Sequence, residues 1–224
     1  MKNTPRLYID APMSAGAEVK LSDTQRHYLA HVMRCKKFLA FGGGLEFEAE
    51  LAPHAPKAKI IRPTDRLDPR GAWTLCFAPI KRVDELASAA TQLGAAALQP
   101  VITDYTVAHH VNWDRIKRVI VEAAEQSGLN SLPELRAPVS FAKLDKSGVF
   151  YGDERAAHGA ACGKIKSAQK TKDCRLLVGP EGGFSNNEFA ALEAAGAIGV
   201  SLGHTILRSE IAVAALAARI LPDI

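Results

Sequence analysis

Residues 177–185 read Leu177-Val178-Gly179-Pro180-Glu181-Gly182-Gly183-Phe184-Ser185, and residues 202–210 read Leu202-Gly203-His204-Thr205-Ile206-Leu207-Arg208-Ser209-Glu210. Each stretch is a short apolar run that breaks into a glycine-bearing turn and then enters helical periodicity. After the first turn, Ser185 with Glu188 forms a capping box ahead of Phe189 and Leu192, and Gly196 is the expected helix stop. After the second, a helix starts near Ser209 and carries Ile211, Ala215 and Leu216. Both turns therefore fall at the carboxyl ends of strands, the edge at which open α/β sheets bind ligands.

The same alternation extends upstream. Trp73–Phe77, Ala97–Ile102, Val149–Tyr151, Leu176–Val178 and Gly199–Leu202 read as strands. Between them, Val83, Leu86, Ala87, Ala90 and Leu93 recur at helical spacing up to Gly94, and Asn112 can cap a second helix with Trp113, Ile116, Ile120 and Ala123 inward. Alternating strands and helices predict an α/β fold with a mostly parallel sheet covered on both faces. The first 70 residues differ. Their apolar patches (Leu7-Tyr8-Ile9, Val19-Lys20-Leu21, Leu45-Glu46-Phe47, Lys59-Ile60-Ile61) are separated by Pro, Gly and Asp, a pattern of a small β-rich unit with one helix near Ser22–Met33. Arg62–Gly71 is polar and proline-bounded, so the expected domains are 1–70 and 71–224.

With 224 residues, 47% hydrophobic and 23% charged, the chain has the composition of a globular protein, and disordered or fibrous classes are excluded. The net charge of +4 is unevenly placed: residues 1–70 hold 12 Lys and Arg against 8 Asp and Glu, and residues 71–224 hold 16 of each. Cys35, Cys76, Cys162 and Cys174 include no C-x-x-C pair and read as buried or incidental thiols. With neither a signal peptide nor an apolar run of membrane length, a cytoplasmic protein is expected.

Neither G-x-x-x-x-G-K-[ST] nor a G-x-G-x-x-G in the first strand-helix turn is present, which removes the P-loop and the Rossmann dinucleotide site. A loop containing Pro180 and Glu181 suits a neutral or cationic ligand better than a phosphate cluster. His27 and His31 stand at i, i+4, a spacing open to metal, but no third ligand is evident and Tyr28 occupies the place of a zincin glutamate, so no metal is expected. His109 and His110 read as loop residues. Lys164, Lys166, Lys170 and Lys172 read as a solvated basic loop that could hold RNA backbone. Ser185 caps a helix and lacks the G-x-S-x-G frame of a nucleophile.

Val178–Glu188 together with Leu202–Ala212 resembles the signature of the SPOUT methyltransferases, and specifically of the bacterial 16S ribosomal RNA uridine-N3 methyltransferases. Pro5-Arg6-Leu7-Tyr8, His27–Arg34, Ala90–Ala95 and Glu122–Gly128 resemble that family in the same order, so the likeness spans nearly the whole chain. Departures are a hairpin after Arg34 several residues shorter than the family's, Ala89 and Gln92 where Lys and Glu are usual, Leu129 where arginine is common, and Ile211 where threonine is common. The resemblance implies a C-terminal trefoil-knotted sheet preceded by a small PUA-like β-barrel that grips RNA, and a homodimer acting on small-subunit ribosomal RNA, naked or in an assembled 30S particle. It also implies S-adenosylmethionine as cofactor, held by Leu177, Val178, Gly179, Pro180, Gly182, Gly183, Leu202, Gly203, Ile206 and Leu207.

Methyl transfer from a sulfonium chiefly requires positioning, because the cofactor carries the reactive carbon. A uracil N3 acceptor must lose a proton and develops negative charge. Arg208 is the candidate for holding that charge or a phosphate. Glu210 is a candidate for orienting Arg208 or taking the proton, or else simply stabilises the helix N-terminus. Glu181 either contacts the base or braces its loop. Arg6, Arg34, Lys81 and Arg82 are the expected RNA contacts, guanidinium groups being suited to bidentate phosphate pairing. Two other classes stay open at this point: an RNA-binding protein with an impaired catalytic domain, and a small-molecule enzyme that uses the glycine-rich crevice without RNA.

Overall fold

The computed structural model describes residues 4–53, 55–108, 110–159 and 174–221. Cys162, His109 and the lysine run 164–172 lie outside the described residues. The chain forms two compact units: the described residues up to Arg70 together with Val121–Leu132, and Gly71–Ile120 together with the described residues from Pro133 onward.

The first unit is built on a five-stranded sheet. Its strands β1 (Arg6–Tyr8), β2 (Glu18–Lys20), β3 (Lys37–Gly42), β4 (Leu45–Leu51) and β5 (Lys57–Pro63) run in the order β1-β3-β4-β5-β2. β1 is parallel to β3, and the other pairs are antiparallel. Alternation places Leu7, Val19, Phe38, Ala40, Phe47, Ala49, Ala58 and Ile60 on one buried face. Strand β3, which no apolar patch in the sequence singled out, supplies two of these. The shortened segment after Arg34 closes as a two-residue hairpin in which Gly43 and Gly44 both have positive φ, 60° and 85°, the backbone of a primed turn that matches strand twist. Helix α1 (Asp23–His27) starts at Ser22, whose capping box with Gln25 is complete, and continues as a π-helical turn over Tyr28–Val32.

Arg6 is the keystone of this unit. Its Nε donates to Glu46 at 2.7 Å, Nη1 to the carbonyls of Ala124 and Glu125, and Nη2 to the Leu129 carbonyl and Asn130 Oδ1. All five guanidinium donors are thereby used, and the group lies 4.4 Å from the centroid of the Phe41 ring. The Arg6 and Glu46 side chains are only 11% and 3% exposed. The expectation that Arg6 meets RNA is corrected here, since no donor is left for a phosphate. Exchanging Arg6 for methionine strands the Glu46 carboxylate and the helix-end carbonyls, and should lower stability by about 3 kcal/mol in denaturant titration. Adding Glu46→Leu should recover part of that loss.

The second unit carries β6 (Trp73–Phe77), β7 (Ala97–Ile102), β8 (Glu134–Leu135), β9 (Val139–Ser140), β10 (Val149–Gly152), β11 (Cys174–Val178) and β12 (Ile198–Val200). The order is β12-β10-β11-β6-β7-β8, with β9 also pairing β7, and every pair is parallel. Helix α2 (Val83–Gln92) buries Val83, Leu86, Ala87 and Ala90 as its periodicity predicts, and Gly94 follows with φ 77°. Helix α3 (Trp113–Ser127) begins after Asn112, whose Oδ1 accepts from the Arg115 amide at 3.0 Å. Helix α4 (Asn186–Ala194) has the full Ser185–Glu188 capping box and buries Phe189 and Leu192.

Helix α5 (Ser209–Ile220) starts where the sequence predicts it. Its buried stripe is Ala212, Val213, Leu216, Ala217 and Ile220, whereas Ile211 is 54% exposed. The helix is apolar nearly all round, so periodicity could not select its inner face. Burial pushes the Cys76 thiol up to about 11 and raises that of Cys174, so neither is a ready nucleophile. No helix among the described residues is long and apolar enough to cross a membrane.

Candidate active site

Because all strands of the second sheet are parallel, their carboxyl ends share one edge. Three connections leave that edge side by side: Gly152–Glu154 after β10, Val178–Gly183 after β11, and Leu202–Leu207 after β12. Together with Ala157, Ser209 and Ala212 they line a cleft of about 750 Å³, counting its open mouth. Val178, Gly179, Pro180, Glu181, Gly182, Gly183, Leu202, Gly203, Ile206 and Leu207 line it as expected from the two glycine turns. Leu177 does not. It is fully buried on the opposite side of β11 with Cys76, Val149 and Tyr151, because successive strand residues face opposite ways.

The loops are held by specific bonds. Ser209 Oγ donates to the Gly179 carbonyl at 2.8 Å, tying the start of α5 to the first loop. The Phe184 amide donates to Glu154 Oε1 at 3.1 Å, tying the first loop to the connection after β10. Gly183 makes that bond possible. It has φ 73°, its amide closes a turn onto the Pro180 carbonyl at 3.0 Å, and a Cβ there would overlap the Glu154 carboxylate. Beneath the loop, Phe184 packs with Phe141, Tyr151 and Phe189.

The cleft has a definite chemical character. Its walls include Val178, Leu202, Ile206, Leu207 and Ala212, its acidic groups are Asp153, Glu154 and Glu181, and among the described residues no Lys, Arg or His lines it. Asp153 is already paired with Arg155 at 2.8 Å. Glu154, which the sequence did not single out, is half-buried, and desolvation pushes its carboxyl pKa upward. Apolar walls beside carboxylates favour a ligand that joins an apolar heterocycle to positive charge.

Of the proposed reacting groups, Glu181 lines the cleft, and Arg208 and Glu210 follow its lining residues Leu207 and Ser209. Arg208 occupies the N-cap position of α5, is exposed, and has no ion-pair partner among the described residues. Glu210 lies in the first turn of the same helix and is 8% exposed, a position where the helix N-terminus stabilises a carboxylate. Glu181 is exposed at the cleft rim. Lys81 is exposed, and Arg82 is exposed but paired with Glu85 at 3.1 Å. In the first unit, Arg34 is exposed and is the one described non-glycine residue with positive φ, 50°. The His27 and His31 rings stack at 4.9 Å, and no group of three possible metal ligands occurs among the described residues.

Comparison with known proteins identifies the family. A family model described as an RNA methyltransferase domain matches residues 68–221. The ribosomal RNA small subunit methyltransferase E of Rickettsia conorii is 30% identical over 222 residues, covering 92% of this chain and 91% of its own length. The Synechocystis protein of the same name is 31% identical, covering 91% of this chain and 73% of its own length. The crystal structure of ribosomal RNA small subunit methyltransferase E from Neisseria gonorrhoeae, bound to S-adenosylmethionine, superposes with a TM-score of 0.79 at 28% identity, covering 96% of both chains. A Legionella pneumophila methyltransferase in complex with the same cofactor gives 0.78 at 25% identity, covering 96% of this chain and 95% of its own.

Proposed function

Since the chain belongs to the RNA methyltransferase family, we propose that it transfers a methyl group from S-adenosylmethionine to N3 of a uridine in 16S ribosomal RNA. The observation that carries this reading is the cleft. It is built from glycine turns at parallel strand ends and has apolar walls, carboxylates and, among the described residues, no cation. S-adenosylmethionine fits that chemistry, with an adenine for the apolar wall and positive sulfonium and ammonium groups for the acidic side. Val178, Gly179, Pro180, Gly182, Gly183, Leu202, Gly203, Ile206 and Leu207 are proposed to hold it. Once bound, the cofactor supplies an electrophilic methyl carbon.

The chain's own work is then to position the base and manage charge. Arg208 is proposed to stabilise the anion that forms when N3 loses its proton. Glu210 and Glu181 are proposed as the nearby carboxylates able to orient Arg208 or accept that proton. Arg34, Lys81 and Arg82 are proposed RNA contacts. The first unit is proposed to be the PUA-like RNA-gripping module, its strands arranged as a barrel, and the second to be a trefoil knot threaded by the segment leading into α5. Its parallel sheet and the bond from Ser209 to the first loop support that arrangement.

A homodimer is proposed from α5. Ile211, Ala214 and Ala218 form an exposed apolar stripe on a helix that is apolar on its buried face too, and such a surface calls for a cover. A ribosomal substrate, free or in a 30S particle, supports a proposed location in the cytoplasm. The test is transfer of labelled methyl from S-adenosylmethionine into 16S RNA, offered naked and as 30S particles from cells lacking this chain. Label must appear in at least one of them.

A further inference from the structure

Beside the cleft, the connection from β7 to α3 is pinned more firmly than an exposed loop requires. The Thr103 amide donates to Thr106 Oγ1 at 2.9 Å, and the two hydroxyls meet at 2.8 Å in a buried pair. The Asp104 amide donates to Glu188 Oε1 at 2.9 Å, and Ser185 Oγ donates to Asp104 Oδ2 at 2.5 Å. These bonds fasten the turn to the capped start of α4, immediately after the first glycine loop. The residues between and beyond the anchors point outward: Tyr105 is 50% exposed and Val107 is 59% exposed. Tyr105 also lies against Gly182 of the cofactor loop, where a Cβ would come 3.3 Å from the Tyr105 Cβ. Its hydroxyl has no hydrogen-bond partner among the described residues.

A rigid turn that presents an aromatic ring to solvent at the mouth of a methyl-donor cleft has the form of a stacking platform. Aromatic side chains hold splayed-out RNA bases by their faces, whatever the base edge does. Val107 continues the apolar surface into a groove also lined by Lys81, Asp84 and Arg115; Arg115 is paired with Asp84 at 2.6 Å, and Lys81, with no ion-pair partner among the described residues, is the cation left for a flanking phosphate. We propose that Tyr105 stacks on a nucleobase of the RNA substrate, the target uridine or its immediate neighbour, and so holds the acceptor at the cleft mouth. This rests on the RNA methyltransferase reading above.

The test compares wild type, Tyr105→Ala and Tyr105→Phe for cofactor affinity, steady-state transfer into whichever 16S substrate accepts label, and oligomeric state. Tyr105→Ala should lower kcat/KM for RNA about 10-fold to 100-fold with cofactor affinity within twofold of wild type. Tyr105→Phe, which keeps the ring, should stay within threefold of wild type. An alanine variant as active as wild type would overturn the proposal, as would a phenylalanine variant as impaired as the alanine one. A parallel loss of cofactor affinity would reassign Tyr105 to bracing the Gly182 loop, and a change of oligomeric state would assign it to a contact between copies. A wild type that labels no RNA overturns the underlying reading instead, which separates the two failures.

Discussion

Arg208→Ala is expected to slow methyl transfer to RNA by about 10²-fold to 10³-fold while leaving cofactor affinity unchanged. Loss of one donor aimed at a developing anion typically costs about 2.7–4 kcal/mol. Arg208 meets the conditions for such a donor. It is exposed and has no ion-pair partner among the described residues, and it is fixed at the start of α5 by the neighbouring Ser209, which is bonded to the Gly179 carbonyl. A side chain that served only to cap the helix would show a different pattern, because Arg208 makes no capping bond. The variant should also regain activity as pH rises, since solvent base then removes the N3 proton that the missing cation no longer helps to release. Arg208→Lys should fall between wild type and alanine, keeping charge but losing the planar fork. An alanine variant with wild-type turnover would remove Arg208 from the chemistry.

Gly183→Val should weaken cofactor binding by about 10²-fold to 10³-fold in calorimetric titration. Two costs combine. A φ of 73° is unfavourable for any L side chain and worse for a β-branched one, about 1–2 kcal/mol or more. The new Cβ also overlaps the Glu154 carboxylate, and forcing atoms into filled space costs about 1–3 kcal/mol. Displacing Glu154 breaks its bond from the Phe184 amide and loosens the loop that lines the cleft. A milder Gly183→Ala combined with Glu154→Ala separates the costs, because it removes the overlap but keeps the backbone strain. If Gly183→Ala alone binds as wild type does, the loop tolerates both.

The second unit was largely legible because its signals are local. The Ser185–Glu188 capping box, the periodicity of Val83–Ala90 and the two glycine turns each specify their own element, and parallel pairing brings the turns to one edge. Three things escaped the sequence, each for a physical reason. The inward face of α5 is not legible because alanine-rich periodicity offers no contrast, and Ile211 faces out. Glu154 went unnoticed because its place in the cleft depends on β10 lying between β11 and β12, a pairing of residues far apart in the chain. Arg6 was read as a surface group because nothing next to it shows that Glu46 and the carbonyls of residues 124–129 close around it. Long-range hydrogen bonding decides such cases, and a single sequence does not display it.

The central claim is that this cleft delivers a methyl group to a uridine of small-subunit ribosomal RNA. Its most direct test is nucleoside mass spectrometry of 16S RNA from cells with and without the gene, and from cells carrying the Arg208→Ala form. The account predicts N3-methyluridine in the first, its loss in the second, and a level well below wild type in the third. Unchanged N3-methyluridine in the deletion strain would contradict it.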